Sequence, residues 1–240
     1  MSVLILGGTG AVGKTVVRQC LERNQDVTVV GRRPVELADE NLSKNLIQKT
    51  INFEDLENHR ADFKGYDVVF CCLGTTRADA GGAEQFKKID HDYVVNTAKI
   101  IAEENPAEGE GKLSPVHYLY CSSMGANANS MLLYPQTKGR TENDLADIGF
   151  TRVSIFRPGL LKIEEPRRTS RFGEGVALKL SGWLEKVGMP AAAVSAVGKA
   201  MIEAALGRSA GVKPEKDTRS NGTEREIFSN PDILKLAAII

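Results

Sequence analysis

The sequence has no excess of either charge, and it lacks the residue patterns of metal and disulfide sites. Its 31 lysines and arginines balance 31 aspartates and glutamates, and no long basic block occurs, so nucleic acid is not expected as a partner. The four cysteines show no Cys-x-x-Cys or metal-ligand spacing, so no metal is expected either. We interpret them as small core residues in a reducing compartment: Cys20, Cys71, Cys72 and Cys121.

Long apolar runs are also missing. No run approaches the ~20 residues of a membrane-spanning helix. Residues 3–6 already read as an apolar strand, which leaves no room for a secretory signal. We therefore expect a cytoplasmic protein without a transmembrane segment. A chain of 240 residues, 42% of them hydrophobic, can bury one large core, so residues 1–240 are predicted to form a single domain.

A glycine motif stands near the start of the chain. The apolar run at residues 3–6 is bounded by glycine and too short for a helix, so it predicts a buried strand. Gly7, Gly10 and Gly13 follow, and an amphipathic helical pattern begins beside them. This is the context of the dinucleotide-binding fingerprint, in which the glycines permit the turn, admit the pyrophosphate and let the helix pack. A glycine-rich turn in some other βα unit is the alternative.

The tip of the second predicted strand, residues 27–31, bears on the choice of cofactor. Arg32 and Arg33 follow this strand, and no acidic residue does. An acidic residue here accepts from the 2′-hydroxyl of NAD, whereas arginine accommodates the 2′-phosphate of NADP. A guanidinium fork suits a phosphate, so the pair favours NADPH over NADH. A solvated basic loop is the alternative.

Apolar strands alternate with helical patterns along the chain. This predicts an α/β fold: a doubly wound, Rossmann-like domain with a mostly parallel sheet and helices on both faces. Ligands lie at the carboxyl ends of such strands, which places Leu73 and Gly74 beside the cofactor. Further strands are predicted over residues 46–53, 67–74, 116–123 and 153–156, and helices over 56–63, 83–104, 176–187, 195–206 and 231–238.

The fifth predicted strand delivers Ser122 and Ser123 to the same edge, and a helix follows from Tyr134. Strand alternation points the two serines to opposite faces. Tyr134 and Lys138 are four residues apart, so they project from one face of the helix.

The glycine triplet, the strand-end serine and the Tyr-x-x-x-Lys together resemble the atypical short-chain dehydrogenases/reductases. Residues 70–77, 89–93, 122–126 and 156–159 narrow the resemblance to the oxidoreductase HIV-Tat-interacting protein family. Residues 227–233 resemble its fungal relatives, which are peripheral proteins of the mitochondrial outer membrane. The resemblance therefore allows peripheral attachment to that membrane.

This resemblance implies hydride transfer between NADPH and a small-molecule carbonyl substrate. Tyr134 would donate the proton, Lys138 would favour its release and hold the nicotinamide ribose, and Ser123 would orient the carbonyl oxygen. A free phenol ionises only at about pH 10, which is why the lysine is needed. The cofactor-binding residues implied by motif and resemblance are Gly7, Thr9, Gly10, Ala11, Val12, Gly13, Arg32, Arg33, Leu73, Gly74, Tyr134, Lys138 and Arg157.

Two positions depart from the family pattern. Ala11 and Val12 replace polar residues of the animal protein, so we expect backbone contacts only at this turn. Asp90 stands where the wider superfamily has a helix asparagine of the proton relay, so any relay here would differ in detail.

The sequence does not identify the substrate. A variable region over residues 160–193 is predicted to form one wall of the substrate site. Its Arg167, Arg168, Arg171 and Phe172 could suit an acidic or aromatic substrate, and a solvated charged loop is the alternative. A second hypothesis is an NADPH-binding regulatory sensor or adaptor that binds a protein partner with little turnover. The retained Tyr134 and Lys138 favour the enzyme. The arginine pair argues against a third hypothesis, a metabolite-binding scaffold without a cofactor.

Overall fold

The computed structural model describes residues 1–37, 40–109, 111–164, 190–208 and 211–239. Their strands are β1 (Ser2–Leu6), β2 (Asp26–Gly31), β3 (Leu46–Thr50), β4 (Val68–Cys71), β5 (Ser114–Cys121), β6 (Phe150–Phe156), β7 (Leu160–Lys162), β8 (Ala191–Ala193), β9 (Glu215–Thr218) and β10 (Glu224–Phe228). Their helices are α1 (Ala11–Glu22), α2 (Arg77–Ala80), α3 (Ala83–Lys87), α4 (Tyr93–Glu104), α5 (Leu133–Asp147), α6 (Val194–Ala205) and α7 (Asn230–Ala237). Two 3₁₀ helices cover Glu40–Asn45 and Leu56–Phe63, and a π-helical turn covers Lys88–Asp92.

Eight of these strands form one sheet in the order β3-β2-β1-β4-β5-β6-β10-β9, and β7 pairs with β8 separately. Neighbours in the large sheet are parallel except β10 and β9. The order of the first six strands is that of doubly wound dinucleotide-binding sheets. The predicted fold class is therefore confirmed, and the strand order reverses between β1 and β4, where such sheets bind ligands.

The central strands are apolar because helices cover both faces of the sheet. Val3 and Ile5 of β1 pack on the side of α1, α6 and α7, whereas Leu4 and Leu6 pack on the side of α4 and α5. Successive side chains of a strand point to opposite faces, so a strand that is covered twice has an unbroken apolar sequence. This is why the apolar runs predicted these strands well.

The helix predicted over residues 83–104 is divided into α3, the π-helical turn and α4. A π turn adds one residue to a helical turn and is frequent at functional sites. Here it contains Asp90, which is fully buried. The candidate site described below makes use of this residue.

Several predicted boundaries differ from the structure. The strands predicted to end at residues 53 and 74 end at Thr50 and Cys71, because the chain leaves the sheet at the ligand edge. The pair β9 and β10 was not predicted: β9 is exposed along its whole length and β10 begins with charged residues, so neither has an apolar pattern. The helix predicted over residues 176–187 lies outside the described residues.

A polar network crosses the sheet from β5 to β10. His117 Nε2 lies 2.8 Å from Ser154 Oγ, and Ser154 Oγ donates to Glu226 Oε2 at 3.1 Å. Glu226 also accepts from Arg152 and pairs with Lys216. Burial and the nearby Arg152 lower the pKa of His117 to about 3, so the folded protein holds it neutral.

This network predicts a loss of stability on acidification. An unfolded histidine binds a proton near pH 6.5, whereas folded His117 does so only near pH 3, so the unfolded state holds more protons between these values. The free energy of unfolding should therefore fall by about 2 kcal/mol between about pH 7 and pH 5 through this residue alone. Urea unfolding of a His117→Gln variant should show a pH dependence weaker by that amount, whereas His59→Gln, a partly exposed histidine, should not remove it. Equal pH dependence in the parent and His117→Gln would contradict the prediction.

Candidate cofactor and active site

The turn after β1 requires glycine at two positions. Gly7 has a φ of +77°, and an added Cβ would lie 2.6 Å from the carbonyl carbon of Cys72. A Cβ on Gly13 would lie 2.2 Å from the Gly7 carbonyl oxygen, so only glycine lets α1 pack this closely on the turn. A Cβ on Gly10 would meet nothing closer than 3.3 Å. Packing therefore restricts Gly10 much less than Gly7 and Gly13, although the Gly7 carbonyl would have to move by a few tenths of an ångström. Close approach of a ligand is a further reason for glycine at this position.

The N-terminus of α1 is open toward the same turn. Its N-cap is Gly10, which offers no side chain to the first-turn N–H groups, and the first turn has no acidic residue. Unpaired N–H groups at the positive end of a helix favour a phosphate. Thr9 is exposed and Ala11 half-buried, whereas Val12 is buried in the core and can offer a ligand only its backbone.

Arg32 and Arg33 are exposed directly beyond β2 and make no ion pair or hydrogen bond to the described residues. Gln48 of β3 holds their loop: Val35 N–H donates to Gln48 Oε1 at 2.6 Å, and Gln48 Nε2 donates to the Val35 carbonyl at 3.2 Å. No sequence pattern predicted this role of Gln48, because it contacts the loop from the neighbouring strand only after folding. The loop is fixed while both guanidinium groups face solvent, as a phosphate site requires.

The two serines after β5 have different environments. Ser122 is buried and donates to Glu142 Oε1 at 2.5 Å. Ser123 is half-buried, and its hydroxyl contacts only the Met124 carbonyl at 3.2 Å. The alternation predicted from the strand therefore holds, and Ser123 is the hydroxyl left available for a ligand.

Tyr134 and Lys138 both lie on α5 but at different depths. Tyr134 is 44% exposed, stacks on Phe86 with ring centroids 5.6 Å apart, and its hydroxyl has no hydrogen bond to a described residue. Lys138 is only 4% exposed. Its Nζ lies 2.9 Å from Asp90 Oδ1 and donates to the Tyr120 hydroxyl at 3.0 Å.

The buried ion pair lies directly below the end of β4. Asp90 Oδ2 accepts from the Thr75 N–H at 2.7 Å. A Cβ on Gly74 would be 3.3 Å from Asp90 Oδ1 and 3.4 Å from Lys138 Nζ. Leu73 is half-buried and Gly74 is exposed. A cofactor lying against Gly74 would therefore be next to the Lys138 ammonium.

Lys138 remains charged in this pocket. Burial by itself disfavours the ammonium, but the nearby Tyr120, Asp90 and Tyr134 outweigh it and hold the pKa of Lys138 well above its usual value. The sequence had pointed to an unusual relay at Asp90. It did not reveal Tyr120 of β5, whose hydroxyl accepts from Lys138.

Arg157 is held by a carboxylate that the sequence analysis missed. Its Nε donates to Glu142 Oε1 at 3.0 Å and its Nη2 donates to Oε2 at 2.5 Å. Glu142 is 1% exposed and also accepts from Ser122, so it fixes the ends of β5 and β6 to α5. The spacing could have revealed it, because Glu142 follows Lys138 by four residues as Lys138 follows Tyr134.

Cys20 and Cys71 are buried free thiols, and Cys72 and Cys121 are partly buried free thiols. Burial raises the pKa of Cys121 to about 11, so it is a poor nucleophile. In the part of the chain that the structure describes, no cluster of three His, Cys, Asp or Glu residues could hold a metal ion. Within the same residues, no helix has the length and apolar character to cross a membrane.

The glycine turn, the strand order and the serine–tyrosine–lysine arrangement define the class of dinucleotide-binding, short-chain dehydrogenase/reductase-like proteins. A family model described as NAD(P)H-binding matches residues 7–181, and the chain belongs to that family.

Comparison with known proteins narrows this class. Protein HTATIP2 of Rattus norvegicus is 40% identical over 185 residues, which are 76% of this chain and 71% of that protein. Protein FMP52, mitochondrial, of Kluyveromyces lactis is 33% identical over 245 residues, 99% of each chain. The resemblance read from the sequence is therefore confirmed.

Solved structures support the fold. MoeE5 in complex with UDP-glucose and NAD matches with a TM-score of 0.66 and 14% identity over 95% of this chain and 75% of that chain. The human epimerase family protein SDR39U1 with NADPH matches with a TM-score of 0.56 and 14% identity, over 95% and 73%. At this level of identity the likeness concerns the fold alone.

Two glycine substitutions should separate binding from folding. In Gly10→Ala the new methyl group would lie 3.3 Å from the Gly7 carbonyl oxygen, so the free energy of unfolding should fall less than in Gly13→Ala while the affinity for the dinucleotide falls at least ~10-fold. In Gly13→Ala the methyl group collides with the Gly7 carbonyl, so stability should fall by about 1–3 kcal/mol. Urea unfolding and calorimetric titration measure both quantities. If Gly10→Ala binds NADPH like the parent, the phosphates do not approach this glycine.

Proposed function

We propose that the protein is an NADPH-dependent oxidoreductase that reduces the carbonyl group of a small molecule. One observation supports the proposal: a Cβ on Gly74, which follows β4, would lie 3.4 Å from the Nζ of Lys138 on α5. Tyr134 is on the same helix, and Ser123 follows β5 at the strand edge that also carries the glycine turn. A cofactor that spans from the turn to Gly74 would end beside these three side chains. Each of them has a chemical part in carbonyl reduction.

When bound, the nicotinamide cofactor supplies the hydride that no side chain can provide. Ser123 donates a hydrogen bond to the substrate carbonyl oxygen and orients it. Tyr134 gives its phenolic proton to that oxygen as the negative charge develops, which yields the alcohol. Lys138 holds a ribose hydroxyl and favours the release of the proton from Tyr134. Solvent then restores the proton to Tyr134, which is exposed.

NADPH is preferred over NADH in this proposal because of Arg32 and Arg33. Both guanidinium groups are exposed and lack a protein partner in the described residues, so they are available to a 2′-phosphate. Fold neighbours carry either cofactor, NADPH in SDR39U1 and NAD in MoeE5, so the fold does not decide the choice. The arginine pair is the feature that supports NADPH.

The first test concerns this cofactor preference. NADPH should bind at least ~10-fold more tightly than NADH, a difference of about 1.4 kcal/mol. Replacing both Arg32 and Arg33 by alanine should remove the preference by weakening NADPH alone, as measured by calorimetric titration. The matched control replaces Lys64 and Lys99 by alanine, two exposed basic residues before β4 and on α4, and it should keep the preference. Equal affinities for the two cofactors in the parent would contradict the proposal.

The second test separates proton transfer from cofactor binding. A screen of carbonyl compounds, followed by NADPH consumption, supplies a working substrate. Tyr134→Phe should leave NADPH affinity nearly unchanged and lower kcat by ~10²–10⁴, because it removes the acid and keeps the ring on Phe86. Lys138→Ala should weaken both binding and turnover, because the same ammonium serves both.

A control on the same helix is Gln136→Ala, whose amide bonds only the Ser130 carbonyl. This variant should turn over like the parent. If Tyr134→Phe turns over as fast as the parent, Tyr134 is a packing residue and the oxidoreductase proposal fails in this form.

A regulatory sensor or adaptor that binds NADPH and a protein partner is the second candidate. The observation in its favour is an exposed apolar segment beside Tyr134, where Met131 is fully exposed and Leu132 is 70% exposed. An adaptor needs the phosphate site but not the Tyr134 hydroxyl, so the Tyr134→Phe experiment also distinguishes the two candidates.

The K. lactis relative carries the description mitochondrial, and we extend to this chain a cytosol-facing, peripheral position on the mitochondrial outer membrane.

A further inference from the structure

Asp90 compensates the charge of Lys138 inside the protein. The carboxylate is fully buried, and its Oδ1 lies 2.9 Å from the Lys138 Nζ. Its other oxygen accepts from the Thr75 N–H, and its carbonyl accepts from Thr141 Oγ1 at 3.0 Å. The carboxylate is therefore held by one contact at each oxygen, and its backbone is held by Thr141.

A compensated ammonium acts weakly on its neighbours. An isolated lysine charge beside a phenol favours the phenolate, whereas a contact pair of opposite charges presents little net charge at the same distance. Tyr134 is also 44% exposed, so water screens what remains. Lys138 in this pair is thus less able to stabilise a negative charge nearby than an unpaired lysine would be.

The other groups facing this pair do not alter the balance. From β5 these are Tyr120 and Cys121, and from β4 Cys71 and Cys72. Burial raises the pKa of each of these four groups above its usual value, so they are neutral around pH 7. Thr75 contributes only an N–H, and Phe86 contributes a ring below Tyr134.

We infer that Asp90 is a positioning residue that keeps Tyr134 in its protonated form and so biases the site toward carbonyl reduction. Reduction needs the phenol as proton donor, whereas alcohol oxidation needs the phenolate as base. This inference rests on the proposed function. With Asp90 in place, reduction operates across the neutral range and oxidation only at alkaline pH.

The test is the pH profile of hydride transfer in both directions. Asp90→Asn keeps the shape of the side chain and removes its charge. The rise of the oxidation rate with pH should then move to lower pH by about 1–3 units, and reduction should begin to fall at correspondingly lower pH. The matched control is Asp92→Asn, two residues away in the same π turn, whose exposed carboxylate contacts His91 instead. Asp92→Asn should keep the parent profile.

A purely structural role for Asp90 would lower the rates without moving the pH profile, and that result would overturn the inference. If Asp90→Asn does not fold, the pH profile of the parent protein tests the inference. Its oxidation rate should still rise at about pH 9, because an unassisted phenol ionises near pH 10. A plateau reached by about pH 8 would contradict the inference.

Absorbance of tyrosinate separates this inference from the proposed function, since it needs no turnover. The difference between the parent and Tyr134→Phe isolates Tyr134 from the other four tyrosines. Its phenolate signal should appear only in alkaline solution, and at lower pH when both proteins also carry Asp90→Asn. If no carbonyl compound is reduced but this shift occurs, the proposed reaction fails and the role of Asp90 stands. An unmoved signal overturns the role of Asp90.

Discussion

Coverage of the sheet by helices on both faces is the constraint on which the rest of the structure depends. Strands such as β1 and β4 can then carry only apolar side chains, and the chain must bring its polar groups to the strand ends. Parallel strands end at the same edge. The glycine turn, the arginine pair, Gly74 and Ser123 therefore come together although they are far apart in the sequence.

Two buried carboxylates attach the helices to this edge. Asp90 joins the π turn to the end of β4 and to α5, and Glu142 joins α5 to the ends of β5 and β6. A buried charge is costly unless it is paired and hydrogen-bonded, and each carboxylate has a cationic partner and at least one further donor. Because each carboxylate contacts several elements, a shift of one element would also displace the side chains at this edge of the sheet.

Much of this was predictable from local sequence patterns. Apolar runs predicted the strands, glycine spacing predicted the turn, and a spacing of four predicted the shared face of Tyr134 and Lys138. The pairing of Asp90 with Lys138 and of Gln48 with Val35 was not predictable, because each pair joins elements that pack only after folding. The strands β9 and β10 were missed for another reason: β9 is an exposed edge strand without an apolar pattern, and β10, although it lies between β6 and β9, begins with charged residues.

Three side chains on one face of helix α5 differ in how deeply they are buried. Tyr134, Lys138 and Glu142 follow one another at intervals of four residues, and their exposure falls from 44% to 4% to 1%. The residue in contact with solvent can exchange protons, the next carries a charge held by a buried partner, and the last anchors the helix to the sheet. A site that only held a cofactor would need the anchor and the charge. The half-exposed phenol above them, whose hydroxyl makes no hydrogen bond to a described residue, is the feature on which the proposed chemistry depends.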